Sequence, residues 1–355
     1  MDVGLTSEQL SLRDTVRDIL RTECPPDAAR QAMTDPERWR TLWKTVVGLG
    51  WTELAAPDAS GDYGPVELAV VLEECGAAIA PIPLLSSVGL AGGALRGCGL
   101  DSVLADIAGG VVATLAVHSP GRRLPGAPMT LRRGRLRGRA IAVPNLSRAD
   151  LIVTLARSDD GVVAAVARCG DGVTPVPAES TDPAQPVADV EIDVEPVATA
   201  RVGVGSALTA PLVAAAADLV GVASAALHRS VEHAKARRQF GTPIGAFQGI
   251  KHALADNYVA LERARSLTYA AAARLGDPTA APADAWTAAA LAKAAAGDAA
   301  ANCARTAVQV HGALAQTWEH DVHLYVRRAW QGAALLGDSR ALYHAVGHRF
   351  AGGAA

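Results

Sequence analysis

The chain has 355 residues, half of them hydrophobic but only 4% aromatic, and a formal net charge of −3. Its apolar mass is therefore alanine, valine and leucine, which suits long, closely packed helices in two or three subdomains. The charge balance excludes a nucleic-acid partner recognised through a basic surface.

The five cysteines (Cys24, Cys75, Cys98, Cys169 and Cys303) form no CxxC pair. This is the usage of a reducing cytoplasm and not of a disulfide frame. The stretch MDVGLTSEQLSLRDTVRDIL lacks the basic-then-apolar design of a signal segment and predicts an amphipathic helix, with Thr6 and Gln9 spaced for a capping box. TLWKTVVGLGW (41–51) and VELAVVLEECGAAIA (66–80) read as helices, and PIPLL (81–85) as a rigid break. The pattern then changes: VVATLAV (111–117), LIVTLA (151–156) and GVVAAVARC (161–169), bounded by Gly, Pro and Asp, are strand signals.

Helical periodicity returns from Ser206 and predicts helices over 208–239, 246–275, 283–314 and 320–347. In the second, Phe247, Ile250, Leu254, Tyr258 and Leu261 step by three or four and predict one apolar stripe. APLVAAAADLVGVASAAL (210–227) is the most apolar long stretch, but its small residues and Asp218 suit a soluble core better than a membrane span. The fold class expected is mainly α with a small β domain. An N-terminal helical domain (1–109) leads to a reduced β domain (110–203) and a C-terminal helical bundle (204–355).

Residues 119–149 carry eight arginines and no acid, whereas 179–195 carry six acids and no base. They read either as solvated loops that neutralise one another or as an arginine-lined mouth for a phosphate-bearing ligand. GVGSAL (203–208) begins like a dinucleotide fingerprint, but Leu208 replaces the third glycine and no βαβ unit surrounds it, so it reads as a domain-linking turn. WEHDVHLY (318–325) offers His320 and His323 beside Glu319 and Asp321. With no HExxH and no third ligand, these read as surface or interface histidines and no metal is expected. No nucleophile elbow or P-loop occurs.

ARRQFGTPIGAFQGIKHALAD (236–256) interrupts the alanine-rich pattern. A helix C-terminus whose arginines answer the helix dipole explains Arg237 and Arg238. It leaves Gln239, Phe240-Gly241 and Phe247-Gln248 unexplained. A second polar island, AVQVHGALAQTWEHDVHLYVRRA (307–329), breaks at His311-Gly312. Two such islands point to one ligand held between helices.

RRQFGTPIGAFQ with the LAD-bearing helix after it, and QVHGALAQTWEHDVHLYVRRA, resemble the C-terminal bundle of the acyl-CoA dehydrogenase family. VLEECGAAIAPIPLL (71–85) resembles the N-terminal helical domain of its actinobacterial branch. The resemblance implies a four-helix bundle and an FAD between subunits. One chain's β domain and bundle hold the ring. The neighbour's Arg-x-x-Phe-Gly turn, the following Gln and a Gln-x-x-Gly loop reach the pyrophosphate and adenosine. On this implication Arg237, Gln239, Phe240, Gln248, Gln309 and Gly312 are the cofactor contacts. The chemistry agrees: a pyrophosphate takes a fixed guanidinium, and a ribose or adenine edge takes Gln and the open backbone of a Gly.

The implied reaction is α,β-desaturation of an acyl-CoA thioester, in which a carboxylate removes the α proton and the flavin takes the β hydride. The implied electron acceptor is an electron-transfer flavoprotein. The family's glutamate falls on Leu336, in LLGDSR (335–340), or on Pro211; neither accepts a proton, so no catalytic residue is assigned. The family's Thr-Glu-Pro-Gly-x-Gly-Ser-Asp stretch is degraded to AVHSPGRRLPGAP (116–128), and its flavin-packing Trp-Ile-Thr/Ser is replaced near 141–153.

Three readings follow. The chain is the base-less partner in a heteromeric α2β2 dehydrogenase for bulky, for example steroid-derived, CoA thioesters. Or it is a self-sufficient homo-oligomer with its base moved to Glu319, Asp338 or Asp256. Or it is a helical scaffold without flavin. Retention of both FAD-contact islands argues against the third, and the loss of the groups that act on the chain's own flavin favours the first.

Overall fold

The structure, a computed structural model, describes residues 4–56 and 63–352. The chain opens with α1 (Ser7–Glu23), α2 (Pro26–Thr34), α3 (Trp39–Gly48) and α4 (Pro65–Ala77). A π-type segment, Leu85–Gly92, then runs into α5 (Gly93–Leu95), and α6 (Asp101–Ala108) follows. The strands are β1 (Ala113–Ala116), β2 (Met129–Arg132), β3 (Arg135–Pro144), β4 (Leu151–Ser158), β5 (Gly161–Arg168), β6 (Val173–Pro177), β7 (Val187–Val194) and β8 (Ala198–Arg201). Helices return as α7 (Val204–Ala236), then the hairpin β9 (Arg238–Gln239) and β10 (Thr242–Pro243), α8 (Gln248–Gly276), α9 (Pro282–His311), α10 (Val322–Ala334) and α11 (Ser339–Gly352). Helices, a sheet, then helices is the fold class the sequence implies.

Local chemistry sets the element ends. The Gln9 amide donates to the Thr6 hydroxyl at 3.2 Å and the Thr6 amide to the Gln9 side chain at 3.0 Å, so the expected capping box forms. At α4 the Gly64 amide donates to Glu67 at 2.8 Å, with Pro65 at the first helical position. Arg17 of α1 then grips Glu74 of α4 with two hydrogen bonds, at 2.8 and 3.0 Å.

The sheet runs β6-β7-β3-β2-β4-β5-β8, with β1 pairing parallel to β4. Most pairs are antiparallel, and no helix crosses between strands, so this is no doubly wound sheet. The two charge blocks do neutralise one another, but on strands and not on loops. Arg135 and Arg137 of β3 donate to Asp193 of β7, and Arg139 donates to Asp189 at 3.1 Å. These strands were not legible because charged residues alternate along their exposed faces, a pattern that in sequence looks like polar loop.

Three other expectations need correction. The span 320–347 is two helices: Leu336 (φ 58°) and Gly337 (φ 102°) are left-handed, and a right-handed helix cannot pass through them. GVGSAL is no linking turn, because Gly203 is the N-cap and α7 begins at Val204. The stripe on α8 is divided. Leu261 is buried and Leu254 packs on the core, but Tyr258 is 58% exposed and Phe247 also faces outward. Asn257, Ala264 and Thr268 complete the packed face instead.

Among the described residues one helix, α7, is long and apolar enough to cross a membrane, and 83% of that window is buried inside the fold. Its small residues admit α4 backbone to backbone. A Cβ on Gly76 would lie 2.0 Å from the Asp218 carbonyl oxygen, and one on Gly221 would lie 1.8 Å from that of Glu73. A single buried cation joins all three parts of the fold. Arg328 of α10 donates to Asp182 after β6 and, at 3.3 Å, to the Ala80 carbonyl, and it faces Asp218 of α7 at 3.6 Å.

Candidate functional site

The first polar island begins where α7 stops. Arg237 is its C-cap, and its amide donates to the His233 carbonyl at 2.8 Å. β9 and β10 pair through Gln239 and Thr242, leaving Phe240-Gly241 as a two-residue turn. Both residues have positive φ, 51° and 77°, as a type I′ turn requires. Glycine adopts this freely; a bulky aromatic does so under strain. Phe240 is nevertheless 93% exposed, and its ring meets Phe247 edge-on at 6.2 Å. Neither burial nor backbone preference accounts for a phenylalanine at that tip. Phe247 caps α8, so Gln248 sits at the helix start, on the same exposed edge.

The second island forms where α9 ends. Gly312 takes φ 64° and ψ −146° as its C-cap, and both it and Gln309 are exposed. Between them His311 stacks on His233 of α7, centroids 4.2 Å apart, and contacts His320 at 4.9 Å. That contact joins the islands: Arg237 lies one turn beyond His233, and Gln309 and Gly312 flank His311. His323 instead stacks on Trp318 at 5.5 Å. Among the described residues no group of His, Cys, Asp or Glu is spaced for a metal ion.

This corner fits the pyrophosphate and adenosine end of a flavin dinucleotide. It presents the Arg237 guanidinium, which has no ion pair among the described residues, two exposed amide side chains, an aromatic face and the open backbone of a glycine. Neither position that the resemblance assigns to a carboxylate holds one. Leu336 is 1% exposed, and its amide donates to His118 Nε2 at 3.1 Å. Pro211 is buried in α7, and the Cβ position of Gly93 lies 3.2 Å from its ring. The proposed substitute bases are placed elsewhere. Asp338 caps α11 through the Ala341 amide (2.9 Å) and takes two hydrogen bonds from Arg123 (2.6 and 2.9 Å). Burial pushes its pKa up, but these donors prevail and hold the carboxyl below its usual range. Glu319 is exposed, its carbonyl accepting from Arg30 of α2 at 3.3 Å, and Asp256 lies on the open face of α8.

Sequence reasoning missed Lys293, a lone cation in an alanine run. It is fully buried and donates to the carbonyls of Ala333 (3.1 Å) and Gly337 (3.3 Å), so it pins the turn that carries Leu336. Burial pulls its pKa down from 10.5 to about 7. Between those values the unfolded chain holds a proton that the folded chain has released, so stability rises with pH through that window. We expect a gain of about 1 kcal/mol from pH 7 to 8, short of about 8.5, where thiols of the unfolded chain ionise and act with opposite sign. Urea unfolding at several pH values checks this. Lys293→Met abolishes the slope, and an unchanged slope would reassign it.

Residues 206–349 match the pattern described as acyl-CoA dehydrogenase, C-terminal domain, and residues 6–103 that of the N-terminal domain. Acyl-CoA dehydrogenase IpdE2 of Mycolicibacterium smegmatis is 34% identical over 350 residues, covering 95% of this chain and 96% of that protein. Among solved structures, the ChsE4-ChsE5 complex from Mycobacterium tuberculosis aligns with TM-score 0.87 at 27% identity, over 99% of both chains. A variant of the Tcur3481-Tcur3483 steroid ACAD aligns with TM-score 0.88 at 26% identity, over 98% of both.

Proposed function

We propose, from the premise that this chain belongs to the acyl-CoA dehydrogenase family, that it is the subunit without the catalytic glutamate in a heteromeric, FAD-dependent enzyme. The observation that carries this is an asymmetry. The corner that reaches toward another chain's cofactor is built and displayed, whereas both places for a catalytic carboxylate hold apolar side chains in packed surroundings. FAD, when bound, supplies the hydride acceptor. Arg237 would neutralise its pyrophosphate, Gln239, Gln248 and Gln309 would supply hydrogen bonds to polar edges, Gly312 would offer backbone, and Phe240 would supply an apolar contact. The carboxylate that takes the α proton belongs to the partner.

The exposed face of α8 supports a partner chain, with Tyr258 and Val259 open about three turns along the helix that Phe247 caps. So do the two relatives described as a complex and as a paired steroid ACAD. The second also supports a bulky, steroid-derived acyl group as substrate. The electron acceptor in this reading is an electron-transfer flavoprotein, and the compartment the cytoplasm.

The test is flavin stoichiometry. Co-expressed with a glutamate-bearing homologue, the purified α2β2 complex holds one flavin per two chains, because only one of each pair of interfacial sites has both halves. One flavin per chain in this protein alone, with full turnover, overturns the reading. A second measurement addresses the corner itself. Arg237→Ala weakens FAD retention in the complex roughly ten- to a hundredfold, the worth of one charge-assisted contact. Unchanged flavin occupancy on dilution would remove Arg237 from the site.

A further inference from the structure

Three imidazoles from three elements meet where the two islands join: His233 of α7, His311 at the end of α9 and His320 just before α10. His311 is the middle ring, with centroids 4.2 Å from His233 and 4.9 Å from His320. Hydrogen bonds to backbone set two of the tautomers. Nδ1 of His311 lies 2.8 Å from the Ala307 carbonyl oxygen, which can only accept, so Nδ1 carries the proton and Nε2 is bare in the neutral ring. Nδ1 of His320 accepts from the Val322 amide at 3.3 Å, so here Nδ1 is the bare nitrogen. A second proton on His320 sets N–H against N–H at the first residue of α10.

The surroundings supply no free counter-charge. A groove of about 650 Å³ opens beside the cluster, so water and protons reach it. α7 presents His228, Arg229, Glu232 and Arg237 to the rings, and the start of α10 presents Asp321, His323 and Tyr325. α9 contributes His311 alone among the described residues. Both acids are already engaged: Glu232 by Lys235 at 2.7 Å, and Asp321 by Arg229 at 3.1 Å and Arg30 at 2.9 Å. Burial first, with the positive neighbours adding to it, holds all three imidazoles below their ordinary pKa. Parted, the rings take up protons near pH 6.5; in contact they do not. The contact is therefore complete above that value and lost as pH falls below it.

We propose that His311 is a positioning residue: its neutral ring, held between His233 and His320, fixes the spacing of the two islands, and a proton taken up by the cluster releases them. Arg237 follows His233 by one turn, and Gln309 and Gly312 flank His311, so parting the rings moves the two halves of the corner independently. The consequence for the cofactor rests on the reading of this corner as a flavin contact; the latch itself does not.

Hydrogen–deuterium exchange on the full chain tests the latch, with peptides covering 237–248 and 309–322 and rates corrected for the intrinsic effect of pH. From pH 7.5 to 5.5 both lose protection together, roughly ten- to a hundredfold, the effect of one to two protons, while the amides of β4 and β5 stay protected. His311→Phe keeps a ring in place and takes no proton, and an imidazolium beside a phenyl face is attracted to it, so protection holds at pH 5.5. His311→Ala loses the stack and is unprotected at both pH values. Wild-type protection that does not change with pH, or an equal acid loss in His311→Phe, overturns the proposal. FAD release from the co-expressed complex, followed by flavin fluorescence on dilution, separates this from the function proposed above. Release that quickens over the same pH range, and not in His311→Phe, supports both. Protection lost while FAD release stays constant supports the latch and sinks the corner as a flavin site.

Discussion

Replacing Arg328 with alanine costs about 3–5 kcal/mol of folding stability, the penalty for leaving buried charge without its counterion. Arg328, Asp182 and Asp218 have side chains only 2%, 1% and 3% exposed, so water cannot take over the lost contacts. The loss is shared by three parts of the fold, because the same guanidinium holds the Ala80 carbonyl, the segment after β6 and the middle of α7. Burial raises Asp218 to about 6 even with Arg328 opposing it. Without that opposition the carboxyl is protonated more readily in the folded state than in the unfolded chain. A group whose folded pKa is raised in this way favours folding as pH falls, so the variant recovers part of its deficit toward pH 5. Denaturant unfolding of both proteins at pH 7.5 and 5.5 measures this. A deficit below about 1 kcal/mol at pH 7.5, the range of an exposed pair, would show that the cluster does not hold the three parts together.

Turnover in the co-expressed complex falls about a hundred- to ten-thousandfold when the partner's glutamate becomes glutamine, the usual contribution of a positioned general base. Asp338→Asn, Glu319→Gln and Asp256→Asn in this chain change it by less than about threefold, which no loss of a general base would allow. The reason lies in their surroundings. Asp338 has both oxygens engaged, by Arg123 and by the first turn of α11, and a carboxylate held ionised by such donors is a poor proton acceptor. Glu319 and Asp256 are solvated on other faces. Acceptor-linked assays of the variants decide it: a large loss at any of the three would place the base in this chain and make the partner dispensable.

The helix–sheet–helix order was legible because alanine-rich periodicity and short β-branched runs are local signals. The capping box at Thr6 and Gln9, the helix break at Phe240-Gly241 and the absence of a carboxylate at positions 211 and 336 were equally readable, since each depends on residue type at a known place. Side-chain direction was not. Phe247 and Tyr258 fit a helical stripe in sequence, yet packing gives the buried face of α8 to Leu254, Asn257 and Leu261, because α7 and α9 meet it from that side.

The charged strands β3 and β7 became visible only once their arginines and acids stood opposite one another. Lys293 and His118, far apart in the chain, acquire their meaning at the turn of Leu336, where they meet its carbonyls and its amide and burial lowers the pKa of both. The contact of His233 with His311 that unites the two islands is likewise tertiary, made by the ends of two helices. Local periodicity and residue chemistry therefore determined the elements and the apolar residues at positions 211 and 336. Which of those residues meet, and which face water, was decided by packing, because burial and long-range contact are properties of the folded chain and not of any window along it.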